Sequence, residues 1–261
     1  MSVLEMMSNK PASFTGRITL VTGGGSGIGR AVALGFAREG ATVIVAGRGH
    51  GPLEETVKLI EAEGGRAEAI TVDVTDTADV ASLVQRIVDR HGRLDIAVNN
   101  AGTFTFGEVA DLPESEWTRV FEVNTTGVFL AMKHQIAAMR QAGGGVIVNV
   151  SSNIGAHKRI PGLGAYAASK AAVTALSRTA ALECVGDGIR VNTVSPGPHD
   201  TPMSLHPGES VAERAVRMKE QNPAGRVGSL DEITSAVLWL ASDGAGFAVG
   251  QDLVLDGGAS A

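Results

Sequence analysis

A chain of 261 residues with 44% hydrophobic content can fill one sizeable core and does not require two domains. Its formal net charge of −6, with no Lys/Arg cluster and no interleaved aromatic platform, argues against a nucleic-acid partner, and a single cysteine, Cys184, leaves no disulfide framework. The six histidines are scattered and read as surface or loop residues, no Cys/His spacing points to a metal, and no run approaches the roughly 18 apolar residues of a membrane span. A cytoplasmic protein that works on small molecules is the expectation.

In chain order, residues 1–15 read as an N-terminal tail and 16–261 as one domain. Ile18–Thr22 is a buried strand running into Gly23-Gly24-Gly25-Ser26-Gly27-Ile28-Gly29, and a helix then extends to about Glu39, stopped by Gly40. Strand Thr42–Ala46 is followed by a helix opening near Pro52 and ending at Gly64-Gly65. Strand Ala67–Val72 leads to a helix whose apolar positions Val80, Leu83, Val84, Ile87 and Val88 keep the helical period up to Gly92. Strand Leu94–Asn99 precedes helical sequence from Ser115 to about Gln141. Strand Val146–Val150, a loop, a helix carrying Tyr166 and running to about Val185, and strand Ile189–Val194 follow. Four prolines and a helical patch at Val211–Glu220 mark about 196–222 as a lid over the substrate. Helix Leu230–Ser242 and strand Asp252–Leu255 close the domain. Strict alternation of strand and helix predicts an α/β fold with a parallel sheet and ligands at the strand C-terminal ends.

Three features carry chemistry. Tyr166-Ala-Ala-Ser-Lys170 puts a phenol and an ammonium four residues apart on one helix face, and a nearby cation favours the phenolate, so the pair can serve general acid–base work near neutral pH. The glycine loop joins the first strand to the first helix, where free backbone N–H groups and the helix dipole favour a pyrophosphate. Arg30-Ala31 stands where a nucleoside-triphosphate loop would carry Lys-Ser/Thr. Eighteen residues past Gly29 comes Gly47 and then Arg48, where a dinucleotide fold reads the adenosine ribose. With no carboxylate there and a guanidinium available, NADP(H) is favoured and NAD(H) is the alternative. Asp73, at the end of the third strand, can accept from an adenine amino group or cap the following turn.

These residues, with Asp73-Val74, Asn99-Asn-Ala-Gly102, Asn124, Ser151-Ser152, Asn192 and Ser195-Pro-Gly197, resemble the short-chain dehydrogenase/reductase family from about Phe14 to Gly258. The resemblance implies a seven-stranded, doubly wound Rossmann-type sheet, a homotetramer, and a catalytic tetrad of Asn124, Ser152, Tyr166 and Lys170. It implies that Gly23, Ser26, Gly27, Ile28 and Gly29 hold the dinucleotide pyrophosphate. Arg48, Asp73 and Val74 fall at its adenosine end, and Asn100, Ala101 and Gly102 line the cofactor after the fourth strand. Pro196 and Gly197 also bind the cofactor, Thr201 lies near the nicotinamide carboxamide or its diphosphate, and Lys170, with Tyr166 beside it, meets the nicotinamide ribose. In this reading Ser152 holds the carbonyl oxygen, Tyr166 protonates it, Lys170 lowers the phenol pKa, and Asn124 holds a water that relays protons to Lys170. Ser152 lies fourteen residues before Tyr166 and Asn153 thirteen. Ser152 is chosen because it stands three residues before Gly155, with the extra residue in 157–163.

The function expected is interconversion of a secondary alcohol and a ketone with NADP(H). The alternatives are an NAD(H)-preferring dehydrogenase of the same family and a non-catalytic dinucleotide-binding sensor. A hydrolase would need a G-x-S-x-G elbow, which no serine here has. His157, Lys158 and Arg159 read as a solvated charge run, with contact to an anionic substrate as the other reading.

Overall fold

The computed structural model describes residues 14–261, and most of the expected tail lies outside them. Phe14 already belongs to the domain, buried with its ring edge-on to Phe36 at 5.0 Å between centroids. Strands β1 (Ile18–Thr22), β2 (Thr42–Gly47), β3 (Arg66–Thr71), β4 (Ile96–Asn99), β5 (Gly145–Val150), β6 (Ile189–Pro196) and β7 (Asp252–Leu255) form one sheet. Its order is β3-β2-β1-β4-β5-β6-β7, and every pairing is parallel. The eight main helices are α1 (Gly27–Arg38), α2 (His50–Ala62), α3 (Thr77–His91), α4 (Glu114–Phe121), α5 (Gly127–Ala142), α6 (Gly164–Cys184), α7 (Val211–Gln221) and α8 (Leu230–Ala241).

The central strands read as nearly continuous apolar, β-branched runs because both sheet faces are covered. Neighbouring residues serve opposite faces: Leu20 packs with Ile44, Ile87, Met139 and Val173, while Val21 packs with Val32, Phe36, Ile60 and Val237. Helices α3, α5 and α6 therefore cover one face and α1, α2 and α8 the other. Each of these fully buried large side chains contributes about 1.5–3 kcal/mol relative to exposure.

Local chemistry sets several helix ends. Asp76 starts α3 by accepting from Ala78 N and Asp79 N, and Gly92 ends it with φ +78°. Ser210 with Glu213 and Ser229 with Glu232 form reciprocal capping boxes at the starts of α7 and α8. The helix expected over 115–141 is interrupted by a π-helical turn at Glu122–Thr126, whose extra residue per turn accompanies a fully buried Asn124. No helix among the described residues is long and apolar enough to cross a membrane.

Candidate active site

The glycine loop follows β1 at the C-terminal edge of the sheet. Asn100 ties it down, donating from Nδ2 to the Thr22 and Gly23 carbonyl oxygens at 3.1 and 3.2 Å. Thr22 Oγ1 accepts in return from the backbone N–H groups of Asn100 and Ala101. A side chain at Gly29 would drive its Cβ into the Gly23 carbonyl oxygen, so glycine is required there for close packing of helix on strand. Ser26 occupies the N-cap of α1 in an extended conformation, yet its hydroxyl makes no capping bond. The first-turn N–H groups and that hydroxyl are thus open to an anion, which fits a dinucleotide pyrophosphate. Ile28 packs partly buried on the core, and Thr201 overhangs the loop, its Cγ2 3.5 Å from where a Gly27 Cβ would lie.

At the end of β2, Gly47 has room for a side chain: the nearest atoms a Cβ would meet are Leu53 Cδ2 at 3.7 Å and Gly23 at 3.9 Å, both ordinary contacts. Arg48 is exposed and forms no ion pair among the described residues. Asp73 Oδ1 accepts from the N–H and the hydroxyl of Thr75 at 2.9 and 2.7 Å, so the turn-capping role is present. Those bonds hold Asp73 below the usual carboxylate range, with a smaller electrostatic pull from Arg48. The Val74 side chain belongs to the core. Gly197 spends its N–H on the Leu255 carbonyl as β6 and the preceding Pro196 end beside β7.

Ser152, Tyr166, Lys170 and Asn124 converge beyond the end of β5. Ser152 caps the helical turn 153–156, its Oγ accepting from Ile154 N at 3.1 Å. Its hydroxyl lies on the Tyr166 side and favours the ionised phenol. Asn153 points away and donates to Asp256 Oδ2 at 3.1 Å, so the hydroxyl that meets Tyr166 is that of Ser152. Gly155 adopts φ +144°, and a Cβ there would lie 3.0 Å from Ala167 O and Ala171 N, which lets the turn press against α6. Lys170 is buried; its ammonium donates to the Val150 carbonyl at 2.8 Å and stands 5.9 Å from the Tyr166 ring centroid.

The electrostatics correct one expectation. Burial pushes the Tyr166 phenol above its ordinary value, and the Ser152 hydroxyl pulls it back; no lowering by Lys170 is found. The Lys170 ammonium, which donates to the Val150 carbonyl, is itself desolvated, and burial lowers its pKa to about 8. Asn124 has both amide hydrogens committed, to Thr103 O at 2.8 Å and Ser169 Oγ at 3.0 Å, and accepts from Thr103 N at 2.8 Å. It pins the loop after β4. The second lone pair of its Oδ1 opens on the space near Lys170: a Cβ on Gly102 would lie 3.4 Å from Asn124 Oδ1 and 3.5 Å from Lys170 Nζ.

The histidine reading also needs correction. His199 lies in the loop after β6 but is buried, with Nδ1 3.1 Å from Gly197 O and its ring against Gly228. His157 is not a solvated charge: its Nε2 lies 2.7 Å from Asp252 Oδ2 across 95 residues of sequence. In the expected lid, Arg214 is buried and donates to Asp200, to the Thr201 carbonyl and to Ser204 Oγ, so the segment is a clasped unit with α7 as its scaffold. Thr22, Thr103 and Asp252 hold the site from outside the expected set, through contacts that no local motif announces.

A family model described as enoyl-(acyl carrier protein) reductase matches residues 22–260. The chain belongs to the short-chain dehydrogenase/reductase family. It is 39% identical to the 3-oxoacyl-[acyl-carrier-protein] reductase of Thermotoga maritima over 93% of this chain and 97% of that protein. It is 40% identical to the cis-4-hydroxycyclohexanecarboxylate dehydrogenase of Sinomonas cyclohexanicum, over 95% and 98%. A crystal structure of a short-chain type dehydrogenase/reductase from Mycobacterium marinum superposes with a TM-score of 0.87 at 35% identity, covering 100% of this chain and 99% of that one. As a short-chain dehydrogenase/reductase, the protein is an NAD(P)-dependent oxidoreductase.

Proposed function

We propose that this oxidoreductase interconverts a secondary alcohol and a ketone with NADP(H) as the preferred dinucleotide, using Ser152, Tyr166, Lys170 and Asn124. The observation that carries the reading is the convergence of Ser152 and Tyr166 on buried Lys170, whose ammonium stands 5.9 Å from the phenol ring, next to the glycine loop. NADPH, when bound, supplies the hydride. Gly23, Ser26, Gly27 and Gly29 bind its pyrophosphate, and Arg48, unpaired at the end of β2, takes the 2′-phosphate.

A carbonyl oxygen placed between the two hydroxyls receives a hydrogen bond from Ser152 and the proton from Tyr166 as negative charge develops on it. The phenol is neutral near pH 7, the form able to donate in the reductive direction. Lys170 keeps its proton below about pH 8, and its ammonium is available to the nicotinamide ribose. Asn124 fixes Thr103 and the loop that faces the substrate.

The approach to Tyr166 is apolar. Phe104 stands edge-on to the phenol ring at 6.5 Å, and exposed Phe106 lies over Gly162. A ketone on an apolar ring or chain is therefore preferred over a sugar, in line with the alicyclic substrate named for the Sinomonas relative. We further propose a homotetramer, supported by the exposed Phe129 and Leu182 on the long helices α5 and α6. The deciding experiment is a turnover screen of cyclic ketones, 3-oxoacyl thioesters, enoyl thioesters and keto-sugars with NADPH and NADH. Tight dinucleotide binding without turnover on any of them would favour the sensor reading instead.

A further inference from the structure

One carboxylate outside the tetrad touches three segments that build the site. Asp252, in β7, has a side chain only 1% exposed. Its Oδ1 accepts from Ser195 Oγ at 2.6 Å, on the stretch of β6 that leads into Pro196-Gly197. Its Oδ2 accepts from His157 Nε2 at 2.7 Å and faces Thr174 Oγ1 at 3.5 Å, one turn beyond Lys170 on α6. Thr174 Oγ1 in turn lies 3.1 Å from Ser151 Oγ, which donates to the Lys170 carbonyl at 2.8 Å.

His157 is the arm of this hub that reaches Ser152. The turn from Ser152 to Lys158 folds on itself through Lys158 N to Asn153 O at 2.7 Å and Gly155 N to Lys158 O at 2.9 Å. It departs from helical geometry at Ile154 and Gly155 and is tied at two points to the C-terminal segment, Asn153 to Asp256 and His157 to Asp252. The charged groups around it are Lys158 and Arg159 on the turn, Lys170 on α6, and Asp252 and Asp256. A buried carboxylate is costly to leave unpaired, and His157 is its only ion-pair partner among the described residues.

We propose that His157 and Asp252 are positioning residues, which fix the Ser152 turn against α6 and so orient the Ser152 hydroxyl toward Tyr166. The proposal rests on the reading of Ser152 and Tyr166 as the hydroxyl pair that meets the carbonyl. Acting through Ser152, they affect orientation, where a displacement of about 1 Å can cost about a hundredfold in rate.

Tyr166 is the chain's one tyrosine, so phenolate absorbance after a rapid pH jump reports that residue alone and needs no substrate. His157→Ala should lower kcat by about tenfold to a hundredfold, leave dinucleotide Kd within about twofold, and raise the Tyr166 titration midpoint by about half a unit to one unit, the worth of one hydrogen bond. His157→Gln, which can still donate to Asp252, should restore most of both. In a Ser152→Ala background, His157→Ala should add no further shift, because the hydroxyl it positions is already gone. Wild-type kcat and titration in His157→Ala, or a His157→Gln variant as impaired as the alanine variant, would overturn the assignment. If His157→Ala does not fold, His157→Gln against His157→Asn makes the same comparison, since asparagine is too short to reach; equal behaviour of the two is the adverse result. Ser152→Ala that changes neither turnover nor titration would instead sink the underlying reading of the site.

Discussion

Lys170→Met separates the catalytic use of a buried ammonium from its cost to the fold. Burial lowers the Lys170 pKa from 10.5 to about 8, and each unit is worth about 1.36 kcal/mol, so holding the charge inside costs the native state about 3 kcal/mol below pH 8. Between about pH 8 and about pH 10.5 the unfolded chain binds the proton more tightly than the native state does. Wild-type stability should therefore rise through that window relative to Lys170→Met, which has nothing to titrate. Loss of the bond to the Val150 carbonyl offsets the gain at neutral pH by about 1–3 kcal/mol, but this offset does not vary with pH. The informative quantity is the difference in unfolding free energy between the two proteins, from denaturant titrations at several pH values. Above about pH 10 the unfolded Tyr166 begins to ionise with the opposite effect, so the comparison belongs below that. Parallel stability curves from neutral pH to about pH 10 would refute the claim that Lys170 is a desolvated ammonium. Turnover by Lys170→Met should be lost throughout.

Ser152→Ala should cost about a hundredfold in kcat, as for loss of one donor to a developing oxyanion, while Asn153→Ala, whose amide faces Asp256, should stay within a few-fold; steady-state assays check both. Gly47→Asp should swing kcat/KM toward NADH by about tenfold or more, since the new side chain meets only ordinary contacts and its carboxylate would accept from a free ribose diol and repel a 2′-phosphate. Arg48→Ala should raise KM for NADPH more than for NADH, and equal effects on the two would remove Arg48 from the phosphate site.

Much of the fold was legible because parallel strands buried on both faces leave apolar runs, and glycines such as Gly40 and Gly92 mark helix ends within a residue or two. The turn capped by Ser152 was also readable, through Gly155, whose positive φ shapes it. What stayed hidden depends on contacts between distant segments. A one-residue π-turn at Asn124 barely disturbs helical periodicity. The direction of the Tyr166 shift comes from burial, which the spacing of four residues does not specify. His157 looked like part of a basic run because its partner, Asp252, is supplied by the last strand.

The most direct test of the account compares Tyr166→Phe with the wild type on one ketone substrate, reading turnover with NADPH and, separately, NADPH affinity by equilibrium titration. The phenol acts on the reacting oxygen, whereas the pyrophosphate is held by the glycine loop, so turnover should fall by about a thousandfold or more while Kd for NADPH stays within a few-fold. Near-normal turnover in Tyr166→Phe would contradict the assignment of Tyr166 as the proton donor.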